Sequence, residues 1–444
     1  MKDINSERPK TVGILTLGCK VNQYETTAME ELFRNSGYTV VDANEKADIY
    51  IINSCTVTHM SDKKSRQFLR RARRMSPDAV IAVTGCYSQV APDEVISIPE
   101  VDVIVGTKDK SRIVEILESA MPGEKLSRVE DVMKPMEFEE MHIEGASGKT
   151  RAFVKVQDGC NRFCSYCIIP YARGSIRSRR IDNIVDEVSR LAKLGFKEIV
   201  LTGINVACYG QDLKTSGFLD VIKAVHSIGG IERIRMSSVE PDMLTDEFIY
   251  ELSKLEKVCP HFHLSIQSGC NETLLRMNRR YTTEKLKAII GKLRESFNNV
   301  ALTTDIIAGF PGETDEEFEA TYEFLKEVKL YQMHIFKYSP RKGTPAAAMG
   351  DQVDPQKKQE RSERLISLSS SNQREFMEKM IGETENVLFE QMAGEGIFEG
   401  HTSNYVKVCA SSVTDIEGSM QKIELSEVKG EHIHGIIKQE YTTK

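Results

Sequence analysis

Residues 151–167 read RAFVKVQDGCNRFCSYC, and the architecture can be worked outward from them. The apolar, strand-like run 151–156 breaks at Gly159 into a C-x3-C-x2-C loop made by Cys160, Cys164 and Cys167. Strand-like runs recur downstream at 198–202, 233–237, 261–266, 301–306 and 332–337, with helical patterns between them at 183–194, 283–297 and 315–328. The last helix opens on Thr314 with Glu317 three residues on, a capping box. Six consecutive βα units predict a partial (βα)6 barrel, with chemistry at the carboxyl ends of its strands. A full eight-unit barrel needs two more strands than the pattern supplies.

Upstream, strand-like runs at 11–17, 49–53, 79–84 and 101–105 alternate with helical patterns at 24–36, 61–75 and 108–120. This spacing predicts an open, mostly parallel α/β sheet. The stretch 123–149 is polar and Met- and Glu-rich, with Gly145 and Gly148, and reads as a linker or surface excursion. Beyond Pro345 the chain becomes charged and helical to about residue 381. It then turns rich in Gly, Val and Ile, with turns at 393–396, 403–404 and 417–418, the pattern of a small all-β domain. The expected α/β organisation is therefore 10–121, a linker at 122–145, the barrel with its helical extension at 146–375, and the β domain at 376–442.

Nothing in the 444 residues approaches the apolar run of roughly 20 that a membrane helix needs, and MKDINSERPK lacks a signal-peptide core. A cytoplasmic location is expected, without membrane association. Ten cysteines in that compartment point to metal binding or catalysis where they cluster, rather than to disulfides. Cys208, Cys259, Cys270 and Cys409 stand alone and read as small buried side chains. The net charge of −7 gives no global argument for nucleic-acid binding.

Thiolates are the usual ligands of iron–sulfur clusters. Three on one loop can hold three irons of a four-iron cube, leaving the fourth open to a small molecule. A structural zinc site would be closed by a fourth Cys or His, and none lies in this loop. Cys19 in LTLGCKVNQYE, Cys55 in IINSCTVT and Cys86 in AVTGCYSQ each follow a predicted strand closely. Ligand sites in open α/β sheets form beyond the carboxyl strand ends, so these three cysteines are expected to converge.

The C-x3-C-x2-C loop, with Tyr166 before its last cysteine, resembles the radical S-adenosylmethionine superfamily. Combined with Cys19, Cys55 and Cys86 and with GHTSNYVKV (400–408), which looks like a small TRAM domain, it resembles that superfamily's methylthiotransferase family over nearly the whole chain. LGCKVNQYE resembles the branch acting on N6-threonylcarbamoyladenosine in tRNA. The resemblance implies two [4Fe-4S] clusters, held by Cys160, Cys164 and Cys167 and by Cys19, Cys55 and Cys86. It implies S-adenosylmethionine as cofactor and a methylthio group added to C2 of the adenosine at position 37, beside the anticodon. An electron donor such as flavodoxin or ferredoxin and a sulfur source are implied partners; the sequence identifies neither.

Cofactor contacts of the superfamily match Tyr166, Gly203 and Asn205, Ser238 and Glu240 in SSVEP, Gln267, and Gly309 and Gly312 in AGFPGE. Arg177 is expected opposite the methionine carboxylate, which suits a guanidinium. For RNA, Lys63, Lys64, Arg66, Arg70, Arg71, Arg73 and Arg74 crowd one helix, with a second basic stretch at 173–180. From 376 to 444 there are 12 acidic and 6 basic residues and no arginine, so the last domain offers RNA little charge. Two rival readings stand beside this one. The first is a methylthiotransferase for isopentenyladenosine tRNA or for a ribosomal-protein side chain. The second is a non-catalytic iron–sulfur protein that binds RNA.

Overall fold

The computed structural model describes residues 9–56, 59–143, 145 and 150–438, and side chains from Lys64 onward in the helix that begins at His59. Residues 146–149 (including Gly148), the Lys63 side chain and the 439–442 end of the expected β domain lie outside the described residues. No helix among the described residues is long and apolar enough to cross a membrane.

The first sheet is built from β1 (Thr11–Thr16), β2 (Thr39–Val41), β3 (Ile49–Ser54), β4 (Val80–Gly85), β5 (Val103–Val105) and β6 (Leu126–Arg128). All pairings are parallel, in the order β2-β1-β3-β4-β5-β6. β3 and β4 are buried along their whole length, as central parallel strands covered on both faces must be. Alternation divides their side chains: Ile49, Ile51 and Ala82 enter the core on one face, Tyr50, Ile52, Ile81 and Val83 that on the other. The expected linker at 122–145 is corrected in part, because β6 lies within it and extends the sheet. A polar three-residue edge strand leaves no period to read.

The six expected barrel strands are present: β7 (Arg151–Asp158), β9 (Glu198–Gly203), β10 (Arg233–Met236), β11 (His261–Gln267), β12 (Ala301–Ala308) and β13 (Gln332–Lys337). A two-residue strand, β8 (Arg177–Ser178), pairs antiparallel with β7 at the open edge. The sheets β10-β9-β7-β8 and β11-β12-β13 meet through the parallel bridges Ile234–Val258 and Val239–Leu264, giving an open, partial barrel. Thr314 and Glu317 form the expected capping box. The helix Lys20–Asn35 packs against both β1 and β7, so the first sheet and the barrel share one core through residues such as Val12, Tyr24 and Val154.

The helix Pro355–Lys379 lies along β13. The chain ends in a closed five-stranded barrel of β14 (Thr384–Gly394), β15 (Ile397–Thr402), β16 (Lys407–Ser411), β17 (Met420–Lys429) and β18 (His432–Ile437), in the order β14-β15-β16-β18-β17. It caps the amino ends of the large barrel's strands. There the Tyr405 ring stacks on His401 and His261, and the Arg151 and Arg235 guanidinium groups lie 5.0 and 4.6 Å from its centroid.

Candidate functional site

β1, β3 and β4 are neighbours, and each runs into a cysteine at its carboxyl end: Cys19 three residues past β1, Cys55 and Cys86 immediately past β3 and β4. The parallel register that sets Thr16 beside Asn53 and Ser54 beside Gly85 therefore brings the three cysteines to one rim. Gly18 has φ +114°, and a Cβ there would stand 2.7 Å from the Cys55 Cβ, so only glycine lets the Cys19 loop cross so close to Cys55. Asn22 stitches the rim together, its Nδ2 donating to the Leu17 and Ser54 carbonyls at 2.8 and 3.0 Å. Cys55 and Cys86 are buried and Cys19 opens to solvent. Protein atoms still crowd the Cys19 thiol and push its pKa up, with Arg173 working against them and Cys86 adding to the rise.

The second triad lies on the loop between β7 and the helix Ile169–Arg173. Gly159 (φ +72°) starts the loop where any Cβ would meet the Ser175 carbonyl oxygen at 1.9 Å. The Cys160 N–H donates to Gly174 O and the Cys167 N–H to Cys164 O. Asn205 Nδ2 donates to Cys160 Sγ at 3.7 Å and Arg279 Nη1 to Cys164 Sγ at 3.2 Å. Burial, then the neighbouring Cys164, push the Cys167 thiol up to about 12, so a bound metal must supply the charge that keeps it a thiolate.

Each triad supplies three thiol side chains outside any disulfide, the usual ligand type of an iron–sulfur cluster. With three sulfurs apiece, each triad fits a four-iron cube with one iron left to another ligand.

A buried charge network joins the two loops. Glu25 on the first helix pairs with Lys110, with Lys155 on β7 (2.8 Å) and with Arg173 (2.5 Å). Lys155 also reaches Asp158 at 2.6 Å, and Arg173 Nη2 donates to Asn22 Oδ1 at 2.7 Å. Burial alone would raise the Glu25 pKa, but Arg173, Lys110 and Lys155 outweigh it and hold the carboxyl well below the carboxylate range.

Two hollows adjoin the triads. A cleft of about 840 Å3 is lined by Thr56 and Tyr87, which follow Cys55 and Cys86, and by Ile168, which follows Cys167. Arg66, Tyr171, Arg341 and Lys342 also line it, together with the acidic Asp93 and Glu94. A smaller cavity of about 260 Å3 inside the barrel is lined by Tyr166, Cys167, Gln267, Asp305, Ile307 and Phe336, among others.

The cofactor-contact expectations meet this geometry unevenly. Tyr166 and Gln267 line the inner cavity, Gln267 with φ +70°. Asn205 touches Cys160, and Gly203 passes against Gln157, where a Cβ would be 2.9 Å from Oε1. Glu240 accepts from Arg279 at 2.5 Å, while Ser238 is exposed. Gly309 and Gly312 adopt φ +72° and +75° in the turn after β12, and Glu313 accepts from the Gly309 N–H. Arg177 turns away from the expected role: its Nη1 donates to the Arg173 and Ser175 carbonyls and its Nη2 lies 3.4 Å from Asp158. The guanidinium beside the cysteine loop belongs to Arg279, which the sequence did not single out because it follows a helix with no motif around it.

The basic helix is also redistributed. Arg66 pairs with Glu94, and Arg71 reaches Asn44. Arg73 is held by Asp102 at 2.6 Å and by the Pro77 and Ala79 carbonyls. Lys64, Arg70 and Arg74 are exposed.

Residues 154–325 match the Radical SAM superfamily, and 11–106 match the uncharacterized protein family UPF0004. A solved radical S-adenosylmethionine methyltransferase, TsrM from Kitasatospora setae, shares the fold at TM-score 0.56 and 14% identity over 77% of each chain. The threonylcarbamoyladenosine tRNA methylthiotransferase MtaB of Bacillus subtilis is 43% identical over 94% of this chain and 93% of its own length. MtaB of Aquifex aeolicus is 40% identical over 84% and 90%. The tRNA-2-methylthio-N(6)-dimethylallyladenosine synthase of Acetivibrio thermocellus is 37% identical over 98% and 92%. Similar at 37–43% identity along most of its length to methylthiotransferases, the chain belongs to the radical S-adenosylmethionine methylthiotransferase family.

Proposed function

We propose that this enzyme adds a methylthio group to C2 of N6-threonylcarbamoyladenosine at position 37 of tRNA. The carrying observation is that residues next to both cysteine triads, Thr56 and Tyr87 after Cys55 and Cys86 and Ile168 after Cys167, line one cleft of about 840 Å3, a volume suited to a flipped-out nucleoside. Identities of 43% and 40% to the threonylcarbamoyladenosine enzymes of Bacillus subtilis and Aquifex aeolicus, against 37% to the dimethylallyladenosine synthase of Acetivibrio thermocellus, support the choice of nucleoside.

Cys160, Cys164 and Cys167 would hold one [4Fe-4S] cluster and Cys19, Cys55 and Cys86 the other. When bound, these clusters and S-adenosylmethionine supply the one-electron chemistry, the methyl group and the carried sulfur. The chain's own contribution is placement. Asn205 and Arg279 donate to thiolate sulfurs, and Glu240 and the Ser265 carbonyl hold Arg279 in position. Tyr166 and Gln267 line the inner cavity and would shape it for the cofactor, and Gly203, Ser238, Glu240, Gly309 and Gly312 are the further contacts that the family resemblance implies. Arg173, bonded to Asn22 and Glu25 on the first helix and close to Asp158 on β7, ties the two loops together. An electron donor of the flavodoxin or ferredoxin kind, a sulfur source and a cytoplasmic setting complete the reading.

Mass spectrometry of tRNA nucleosides from a deletion strain tests this. The methylthiolated threonylcarbamoyladenosine should vanish while its unmodified precursor accumulates, and this chain should restore it. Loss of the isopentenyladenosine product instead, or unchanged tRNA, would overturn the assignment.

A further inference from the structure

A group of polar side chains inside the barrel has no part in the proposed function. His263 on β11, Asp305 on β12 and His334 on β13 stand on three adjacent parallel strands, and their ligand atoms all lie within 4.8 Å of one another. The register pairs Asp305 directly with His334 and His263 with Thr303, two residues earlier on Asp305's strand. Strand alternation does the rest: Phe262, Leu264, Leu302, Ile306 and Met333 enter the core between barrel and helices, so His263, Asp305 and His334 share the opposite, inner face.

The group has the features of a ligand set. His263 Nε2 lies 3.4 Å from Asp305 Oδ2, and its other nitrogen, Nδ1, lies 3.0 Å from Thr303 Oγ1. A hydroxyl partner on one ring nitrogen fixes which nitrogen is presented, as in the outer shell of metal-bound histidines. The His334 ring lies 5.7 Å from the His263 ring at 29°. Among the described residues Asp305 has no Lys or Arg ion-pair partner. Lys20 faces the same interior, but burial first, then Arg235 and Arg151, lower its pKa to about 8. An incoming cation therefore meets an amine that releases its proton easily.

We propose that His263, Asp305 and His334 form a mononuclear site for a divalent transition-metal ion, separate from both cysteine triads. Two imidazoles and a carboxylate without thiolate suit Mn2+, Fe2+, Co2+ or Zn2+. Three protein ligands leave coordination positions open. Asp305 also lines the 260 Å3 cavity beside Tyr166, Cys167 and Gln267, so one ligand of the set stands on the wall of that space.

The test is anaerobic titration of cluster-loaded protein with Mn2+, following loss of the free-ion electron paramagnetic resonance signal, and with Co2+, following its d–d absorption. Wild type should take up one ion per chain, and the Co2+ spectrum should lack thiolate charge-transfer bands. His334→Gln and Asp305→Asn should each weaken binding about tenfold or more, with iron content and circular dichroism unchanged. His334 is exposed, so its variant carries the test should Asp305→Asn fail to fold. Three results would each overturn the site: no ion taken up by wild type, variants binding as wild type does, or a thiolate-type Co2+ spectrum.

Discussion

Glu25 shows how a single side chain can set the geometry between two reactive loops. Its carboxylate is fully buried against three cations, and such a network is worth little over an apolar substitute but costs much when broken. Glu25→Gln should therefore destabilise the protein by about 3–5 kcal/mol, read as a lower urea midpoint at pH 7. The pH dependence follows from direction. The folded pKa of Glu25 is held below its unfolded value, and that of Asp158 is lowered as well, against burial, by Lys155 and Arg173. Their stabilisation is complete above the unfolded carboxylate range, about pH 4, and drains away as pH falls through the folded values. Urea midpoints between pH 5 and 3 should fall more steeply in wild type than in Glu25→Gln; equal slopes would show that folding does not lower the Glu25 pKa. The sequence around Glu25, CKVNQYE, carried a family resemblance but no hint of this role, since its partners lie 85 to 148 residues away.

At the scale of elements, the helix His59–Met75 and the small β-barrel both do something other than their composition suggested. Basic residues on the helix looked like one phosphate-tracking face, yet Arg66, Arg71 and Arg73 are engaged within the protein. Lys64, Arg70 and Arg74 remain for RNA. Arg70→Gln with Arg74→Gln should weaken tRNA binding and reduce its salt slope by about one for each phosphate no longer neutralised, whereas Arg73→Gln should mainly lower stability by unpairing Asp102. An unaltered salt slope in the double variant would return the helix to a solvated surface. The β-barrel, acidic and poor in RNA-binding charge, instead closes the foot of the large barrel. Arg233 donates to the His401 and Asn386 carbonyls and Arg235 to that of Ser403. Removing the domain strips these partners from buried arginines, so a truncation would disturb the barrel as well as any RNA binding. Tyr405→Ala, which empties the stacked position between His261 and His401, should cost about 3 kcal/mol, checked by thermal unfolding. A melting point equal to that of wild type would show the domains to be merely adjacent.

For the whole molecule, the two triads make a divisible prediction. Anaerobically reconstituted protein should hold about eight irons. Replacing Cys160, Cys164 and Cys167 by Ala should halve that and abolish S-adenosylmethionine cleavage. Replacing Cys19, Cys55 and Cys86 should halve it too, but spare cleavage while removing the methylthiolated product. Loss of cleavage in the second variant with its barrel cluster spectroscopically intact would mean the clusters do not divide the work. How much of this was readable beforehand depended on where the information sits along the chain. Strand periods, the capping box at Thr314 and the C-x3-C-x2-C loop are local, because a strand alternates every two residues and one loop holds three ligands. The placement of Cys19, Cys55 and Cys86 after strands was equally local, and parallel pairing of β1, β3 and β4 turned it into convergence. What only the tertiary structure decided is which charges meet: Arg177 on Asp158, Arg279 on Cys164, Arg73 on Asp102, His263 beside Asp305. A charged side chain carries no periodic signal, and its partner is chosen by strand order and register, which bring together residues tens to hundreds of positions apart.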